Sequence, residues 1–170
     1  MEYWIIYDLA TGGDRLRGSG PVGTAAIQTV PEGLGIVLVP PAAVMGPTIE
    51  LDVIRSASLT GIDAQAELVR QSILTPGAGQ AMTYQRKEAE ARAWSIDNDT
   101  TTPFLSAEAD ARGMTIADLA AEVIQLADAW VAIGAAIEGL RMGAKAAVGR
   151  AASLGAIVAA GKVDWSVLNG

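Results

Sequence analysis

The chain contains no cysteine and no histidine, and phenylalanine occurs once, at Phe104. Without cysteine there is no disulfide, no thiol nucleophile and no thiolate metal site, and the redox compartment stays undetermined. Without histidine there is no imidazole base and no preferred ligand for zinc or copper. Any enzyme built here runs on carboxylates, lysines or hydroxyls alone. Basic charge is also scarce: 12 Lys and Arg stand against 19 Asp and Glu, a net charge of −7 at pH 7. That balance argues against nucleic acid and anionic membrane surfaces as partners. The acidic residues form no tail and read as ordinary solubility. No uncharged run in the helical half, Ala129–Ile137 included, reaches the roughly 20 residues a bilayer span needs. The opening Met1-Glu2-Tyr3-Trp4 lacks the basic residues and long apolar core of a signal peptide. The expectation is a soluble protein made in a cytoplasm, with no membrane contact, no cofactor and no metal.

What is present divides the 170 residues near residue 61. Most of the prolines fall in the first part, among short β-type runs. Tyr3-Trp4-Ile5-Ile6-Tyr7 reads as a strand, closed by the turn signal Ala10-Thr11-Gly12-Gly13-Asp14, with Arg15-Leu16-Arg17 returning antiparallel to it. Ala25 to Val30, Gly35 to Val39 and Thr48 to Ile54 are further candidate strands, separated by Pro31, Pro40-Pro41 and Pro47. From Ile62 the period is helical: Ile62, Ala66, Val69 and Ile73 share a face, stopped by Thr75-Pro76-Gly77. Thr75 can cap a second helix from about Ala78 to Trp94, with Pro76 in its first turn. A short helix around Phe104 to Arg112 follows the polar loop Asp97–Pro103. The pattern predicts an α+β protein: a small N-terminal antiparallel β-domain over 1–60, then an alanine-rich helical bundle or coiled-coil region over 61–170.

The strongest pattern is a heptad. Ile116, Leu119, Val123, Leu126, Trp130, Ile133, Ile137 and Leu140, continued by Ala144, Ala147, Ala151, Leu154 and Val158, recur at alternating steps of three and four. Thr115 caps this helix, with Asp118 three residues on in a variant capping box. Asp118, Glu122 and Asp128 lie early and Arg141, Lys145 and Arg150 late, an order that suits the helix dipole. The helix either runs straight to Val158, about 65 Å at 1.5 Å per residue, or breaks between Arg150 and Ser153, where Ser153 caps a separate helix through Ala160. The flanking positions Ala120, Ala127, Gly134, Ala129, Ala136 and Gly143 are small, and Ile124 and Val131 face outward. A helix so apolar all round is a buried one. The chain's own helix Ala78–Trp94 is about half as long and can cover only part of it, with copies of the chain covering the excess. Ile116 to Leu140 of the seam therefore form the candidate oligomer interface of a dimer or trimer; the alternative is a monomeric bundle.

Candidate chemical motifs are weaker. Gly18-Ser19-Gly20-Pro21-Val22-Gly23 matches GxGxxG, but no βαβ unit surrounds it, and it reads as a turn loop. Asp97, Asp99, Thr101 and Glu108 imitate calcium-loop spacing, but Thr102 stands where the loop needs glycine. Glu88 with Arg92, and Lys87 with Glu90, read as surface pairs. A carboxylate hydrolase would need Glu88, Glu90, Asp97 or Asp99 to converge in a cleft. Tyr84, Ala91 and Trp94 read as core anchors. Gly139-Leu-Arg-Met-Gly143 is a GxxxG, read as close helix packing in water. No catalytic, cofactor-binding or metal-ligating residue is assigned.

The segment from Ile73 to Trp94, the opening Tyr3-Trp4-Ile5-Ile6-Tyr7-Asp8, the alanine-rich helix with Trp130 and the closing Val163-Asp164-Trp165 resemble small accessory tail or fibre-associated structural proteins of tailed bacteriophages and prophages. The resemblance implies a non-enzymatic virion component in the tail, baseplate or fibre region, bound to itself and to other virion proteins. It would sit in the host cytoplasm before assembly. The alternative it implies is a tail-fibre assembly chaperone absent from the mature virion.

Overall fold

The structure is a computed structural model that describes residues 1–73 and 77–169. It has the expected α+β layout, a three-stranded antiparallel sheet followed by helices. Strand β1 (Glu2–Asp8) lies between β2 (Asp14–Gly20) and β3 (Leu34–Val39), in the order β2-β1-β3. Four consecutive β1 residues, Trp4 to Tyr7, are buried. An unbroken apolar run instead of an alternating one marks a central strand covered on both faces. Tyr3, Ile5, Tyr7, Val37 and Val39 face the main core with the helices. Trp4 and Ile6 face the other way, against Ala25, Val30, Leu34 and Ile36.

The helices are α1 (Leu51–Ile73), α2 (Ala78–Ile96), α3 (Pro103–Arg112), α4 (Ile116–Arg150) and α5 (Leu154–Gly161). Two expected strands are absent. Ala25–Ile27 is a single 3-10 turn, with the Ala25 amide donating to the Glu2 carboxylate at 2.6 Å. Ala25 packs with Trp4 and Ile6 without joining the ladder. Thr48–Ile54 is not a strand either, because α1 begins at Leu51. The β-branched pair Val53-Ile54 favours extended backbone, but Ile54, Ile62 and Ala66 are buried at multiples of four, and that helical stripe overrides propensity. Thr75 and Pro76, expected to open α2, lie outside the described residues.

The chain forms two compact units, Met1–Glu67 with Glu138–Gly170, and Leu68–Ile137. The boundary expected at residue 60 falls within α1. In the first unit, Ile5, Tyr7, Val39, Ile54, Ile62, Val148, Leu154 and Ile157 make one core. Of the two alternatives for the long helix the break is the one observed: α4 ends at Arg150, and Ser153 caps α5 by accepting from the Ala156 amide at 3.2 Å. Arg55 of α1 closes the end of α4: one guanidinium nitrogen donates to the carbonyls of Val148, Gly149 and Ala151. These are orphan acceptors at the negative end of the helix dipole. The β1–β2 turn docks on α5, with the Gly155 amide donating to the Gly12 carbonyl at 3.2 Å. Gly12 has φ of 72°, and a Cβ there would stand 2.5 Å from Ser153 Oγ, so only glycine fits.

In the second unit, Ala91, Leu105, Ala109, Leu119 and Ala120 form a smaller core, joined by Trp94, Ile116, Val123 and Ile124. Gly113, at φ 66°, ends α3 in the left-handed conformation. Thr115 and Asp118 make the expected cap: the Asp118 amide donates to Thr115 Oγ1 at 3.1 Å, and the hydroxyl donates to the Asp118 carboxylate at 2.7 Å.

Candidate functional site

The eight seam residues proposed as an interface meet three different fates. At the start of α4, Leu119 is fully buried, and Ile116 and Val123 pack with it against the α2–α3 core. Ile137 is buried, and Leu140 is half-buried. Beyond the interface set, Ala144, Ala151 and Val158 join the main core of the first unit. Between Ala120 and Ile137, however, no residue is buried. There Leu126 is 63% exposed and Val131 61% exposed, while Trp130 and Ile133 are half-buried. The only polar side chains in that stretch are Glu122, Gln125 and Asp128. The chain therefore covers both ends of its own heptad and leaves an apolar middle from Gln125 to Ala136 without a buried residue, about 18 Å at 1.5 Å per residue.

Two acids of the stretch are held by the unit's own cations. Arg92 of α2 donates to Asp128 at 2.6 Å and to Glu88 at 2.9 Å, and Asp128 then Glu88 raise its pKa. Arg112 of α3 bridges Glu122 at 2.9 Å and Glu108 at 3.1 Å, and is raised likewise, Glu122 contributing most. Glu122 and Asp128 are thus neutralised within the unit, which leaves the aliphatic surface as the dominant character of the stretch.

The GxxxG reading needs correction: apart from the helix's own backbone and the adjoining residues, no atom of the described residues stands within 4 Å of a Cβ built at Gly139 or Gly143, so none of the described helices packs on them. The expectation that nothing here is long enough to span a bilayer also needs correction. By length and composition α4 qualifies, with an 18-residue window of mean hydropathy 1.5, of which 11% is buried. Counting only uncharged runs had cut the window at its charged residues.

The other candidates take structural places. Gly18 and Gly20 of the GxGxxG lie in β2, which continues into turns and not into an α-helix. A Cβ at Gly18 would overlap the Trp4 ring at 2.3 Å, so this glycine makes room for an indole. Asp97 accepts from the Asp99 amide at 3.1 Å. Glu108 is held by Lys87 at 2.6 Å and by Arg112, and Lys87 is the main cause of its lowered pKa. The expected Lys87–Glu90 pair is therefore not the one formed. Glu90 is buried and accepts from the Phe104 and Leu105 amides at 2.9 and 3.1 Å, capping α3 from outside its own helix. Glu88 and Glu90, two apart on a helix, point to different sides. Of the expected anchors, Ala91 is buried and Trp94 packs on the core, while Tyr84 is 37% exposed with Lys87 Nζ 5.4 Å from its ring centroid.

The roles of three residues escaped sequence reasoning: Arg55, Glu90, read only as a surface or cleft acid, and Asp63. Asp63 of α1 accepts from Arg141 at 2.5 Å and Lys145 at 2.6 Å on α4. Lys145 first and Arg141 second pull its pKa down. For Glu90 a signal existed, an acid four residues from Trp94 on the side of the helix that otherwise reads as core. For Arg55 and Asp63 none did, because their partners lie about 80 to 95 positions away, a separation no local pattern reports. Compared with known proteins, the chain matches no family model, no curated protein and no solved structure.

Proposed function

We propose that this protein is a non-enzymatic structural component of a tailed-phage particle, in its tail, baseplate or fibre region. In this reading it self-associates as a dimer or trimer through the middle of α4, while the unit carrying the β-sheet docks to other virion proteins. The observation that carries self-association is the stretch between Ala120 and Ile137, apolar in composition yet without a buried residue. Covering a large aliphatic side chain stabilises by about 1.5–3 kcal/mol. Leu126 and Val131 together with Trp130 and Ile133 therefore offer a strong incentive to associate. A second copy suits the stretch better than a bilayer does, because Glu122 and Asp128 are ion-paired to Arg112 and Arg92, themselves 41% and 43% exposed. The particle assignment rests on the resemblance of the Ile73–Trp94 segment and the strand opening at Tyr3.

Mass spectrometry of purified particles from a host carrying the gene tests the assignment. The expected result is this chain at a fixed stoichiometry to a tail or fibre protein. Its absence from particles, with the chain present in the infected cell bound to a fibre protein, would instead assign it as an assembly chaperone.

A further inference from the structure

The two edges of the sheet differ. β2 is guarded by Asp14, Arg15 and Arg17, charges that discourage another strand from pairing there. β3 reads Leu-Gly-Ile-Val-Leu-Val and carries no charge, no proline and no bulge. Its hydrogen-bond phase is set by the Leu9 amide, which donates to the Gly33 carbonyl at 2.9 Å. By alternation, Gly35, Val37 and Val39 exchange bonds with Tyr7, Ile5 and Tyr3 of β1. Ile36 and Leu38 turn their N–H and C=O groups outward, and none of these has a partner among the described residues. Leu38 is 59% exposed.

Beside this open edge lies a cleft of about 280 Å³ within the first unit. Val37 and Leu38 form one wall, Ile54, Ala57 and Gly61 of α1 another, and Ile157 of α5 closes it. Beyond Gly61 there is open space, with nothing within 4 Å of a built Cβ. Lys162 also lines the cleft, and its ammonium has no carboxylate partner among the described residues. An unpaired strand edge, an apolar trough alongside it and a free cation on the rim are the elements of strand addition.

We propose that β3 and this cleft capture an extended segment of another protein as a fourth strand. The segment pairs with the outward groups of Ile36 and Leu38. It seats alternate small apolar side chains in the cleft and sets a carboxylate, from a side chain or a chain end, against Lys162. The inference deepens the docking role of the β-bearing unit and rests on that reading. The backbone of Ile36 and Leu38 demands an extended chain, and Lys162, unpaired on the rim among the described residues, asks for an acid.

The test is selection from a yeast-displayed library of ten-residue random peptides against the full-length protein. Gly61→Leu, which fills the cleft, and Leu38→Pro, which removes an outward N–H without touching the ladder to β1, are the controls. Selected peptides should alternate small apolar residues, carry an acid near one end, and slow amide exchange at Ile36 and Leu38. Binding should weaken about tenfold or more in Gly61→Leu and Leu38→Pro, and measurably in Lys162→Glu. If Leu38→Pro does not fold, Gly61→Leu, a substitution into open space, carries the comparison alone. Failure to select any peptide that Gly61→Leu rejects overturns the proposal. So does protection of Ile36 and Leu38 in the free protein that rises with its concentration, because a second copy would then hold the edge. Gly61→Leu should leave the solution mass unchanged, so peptide capture and self-association succeed or fail separately.

Discussion

At the scale of single residues, the stability of the first unit depends on charges that reach across the sequence to helix ends and partners. Arg55 is the plainest case, one guanidinium nitrogen serving three carbonyls where α4 stops. Hydrogen bonds to charged groups are worth about 1.5–3 kcal/mol, so Arg55→Ala should lower the urea-unfolding free energy by about that amount. Arg55→Lys should recover only part of it, because the shorter side chain brings its ammonium less far toward the three carbonyls that Arg55 Nη1 reaches. Acid sensitivity follows from the carboxylates. The Arg15 guanidinium, with help from the Thr11 amide, holds Asp8 down at about 2 against an ordinary 3.8, and Lys145 lowers Asp63. A carboxyl whose folded pKa is depressed contributes stability that is fully present above its unfolded value and is lost as pH falls through the folded one. Unfolding midpoints should therefore be level above about pH 4 and decline from there toward pH 2. Asp8→Asn and Asp63→Asn should each flatten that decline, and an unchanged slope in both would count against these pairs. None of this was visible in the sequence, where Arg55, Asp63 and Asp8 are ordinary charges and only the fold supplies their partners.

Among the elements, legibility followed the length of the pattern. α4 was readable because its heptad repeats over many turns and its cap, Thr115 with Asp118, is local. The end of α4 was ambiguous because the stripe stays in phase across the break, and Ser153 acts only once the chain has turned. β1 was readable as a strand from its aromatic and β-branched run. Thr48–Ile54 was misread because the first turn of α1 is rich in residues that favour strands in isolation, and burial at Ile54, Ile62 and Ala66 decides the matter. The candidate interface was half legible. The heptad gave the stripe and the partial cover by α2, but it could not say that α3 and the first unit's core would share in covering its ends. The glycines of α4 lead to a further prediction. With open space beside Gly143, Gly143→Ala should raise stability by about 0.5–1 kcal/mol, the helix-propensity difference, measured by urea unfolding. A loss instead would show that another chain packs there.

For the molecule as a whole, the two units redraw where the chain can be cut. A fragment ending at Thr60 would keep the sheet but lose Val148, Leu154 and Ile157 from the core that supports it, and should not fold. Residues 1–67 joined to 138–170 by a short glycine-serine linker retain that core and the Asp63 pairs with Arg141 and Lys145. This excised unit should show a cooperative thermal transition by circular dichroism and remain monomeric. A non-cooperative profile would mean that the second unit is needed to hold the first together. The account's central claim is that the uncovered middle of α4 is a surface between copies. Light scattering across a concentration series, on the wild-type chain and on the double variant Leu126→Glu with Val131→Glu, tests it most directly. Both side chains are more than 60% exposed, so the substitutions should change the stability of the isolated chain by no more than about 0.5 kcal/mol. The account predicts a dimer or trimer for the wild type and a monomer for the variant. A wild-type monomer at every concentration, or an oligomer that both glutamates leave intact, would contradict it.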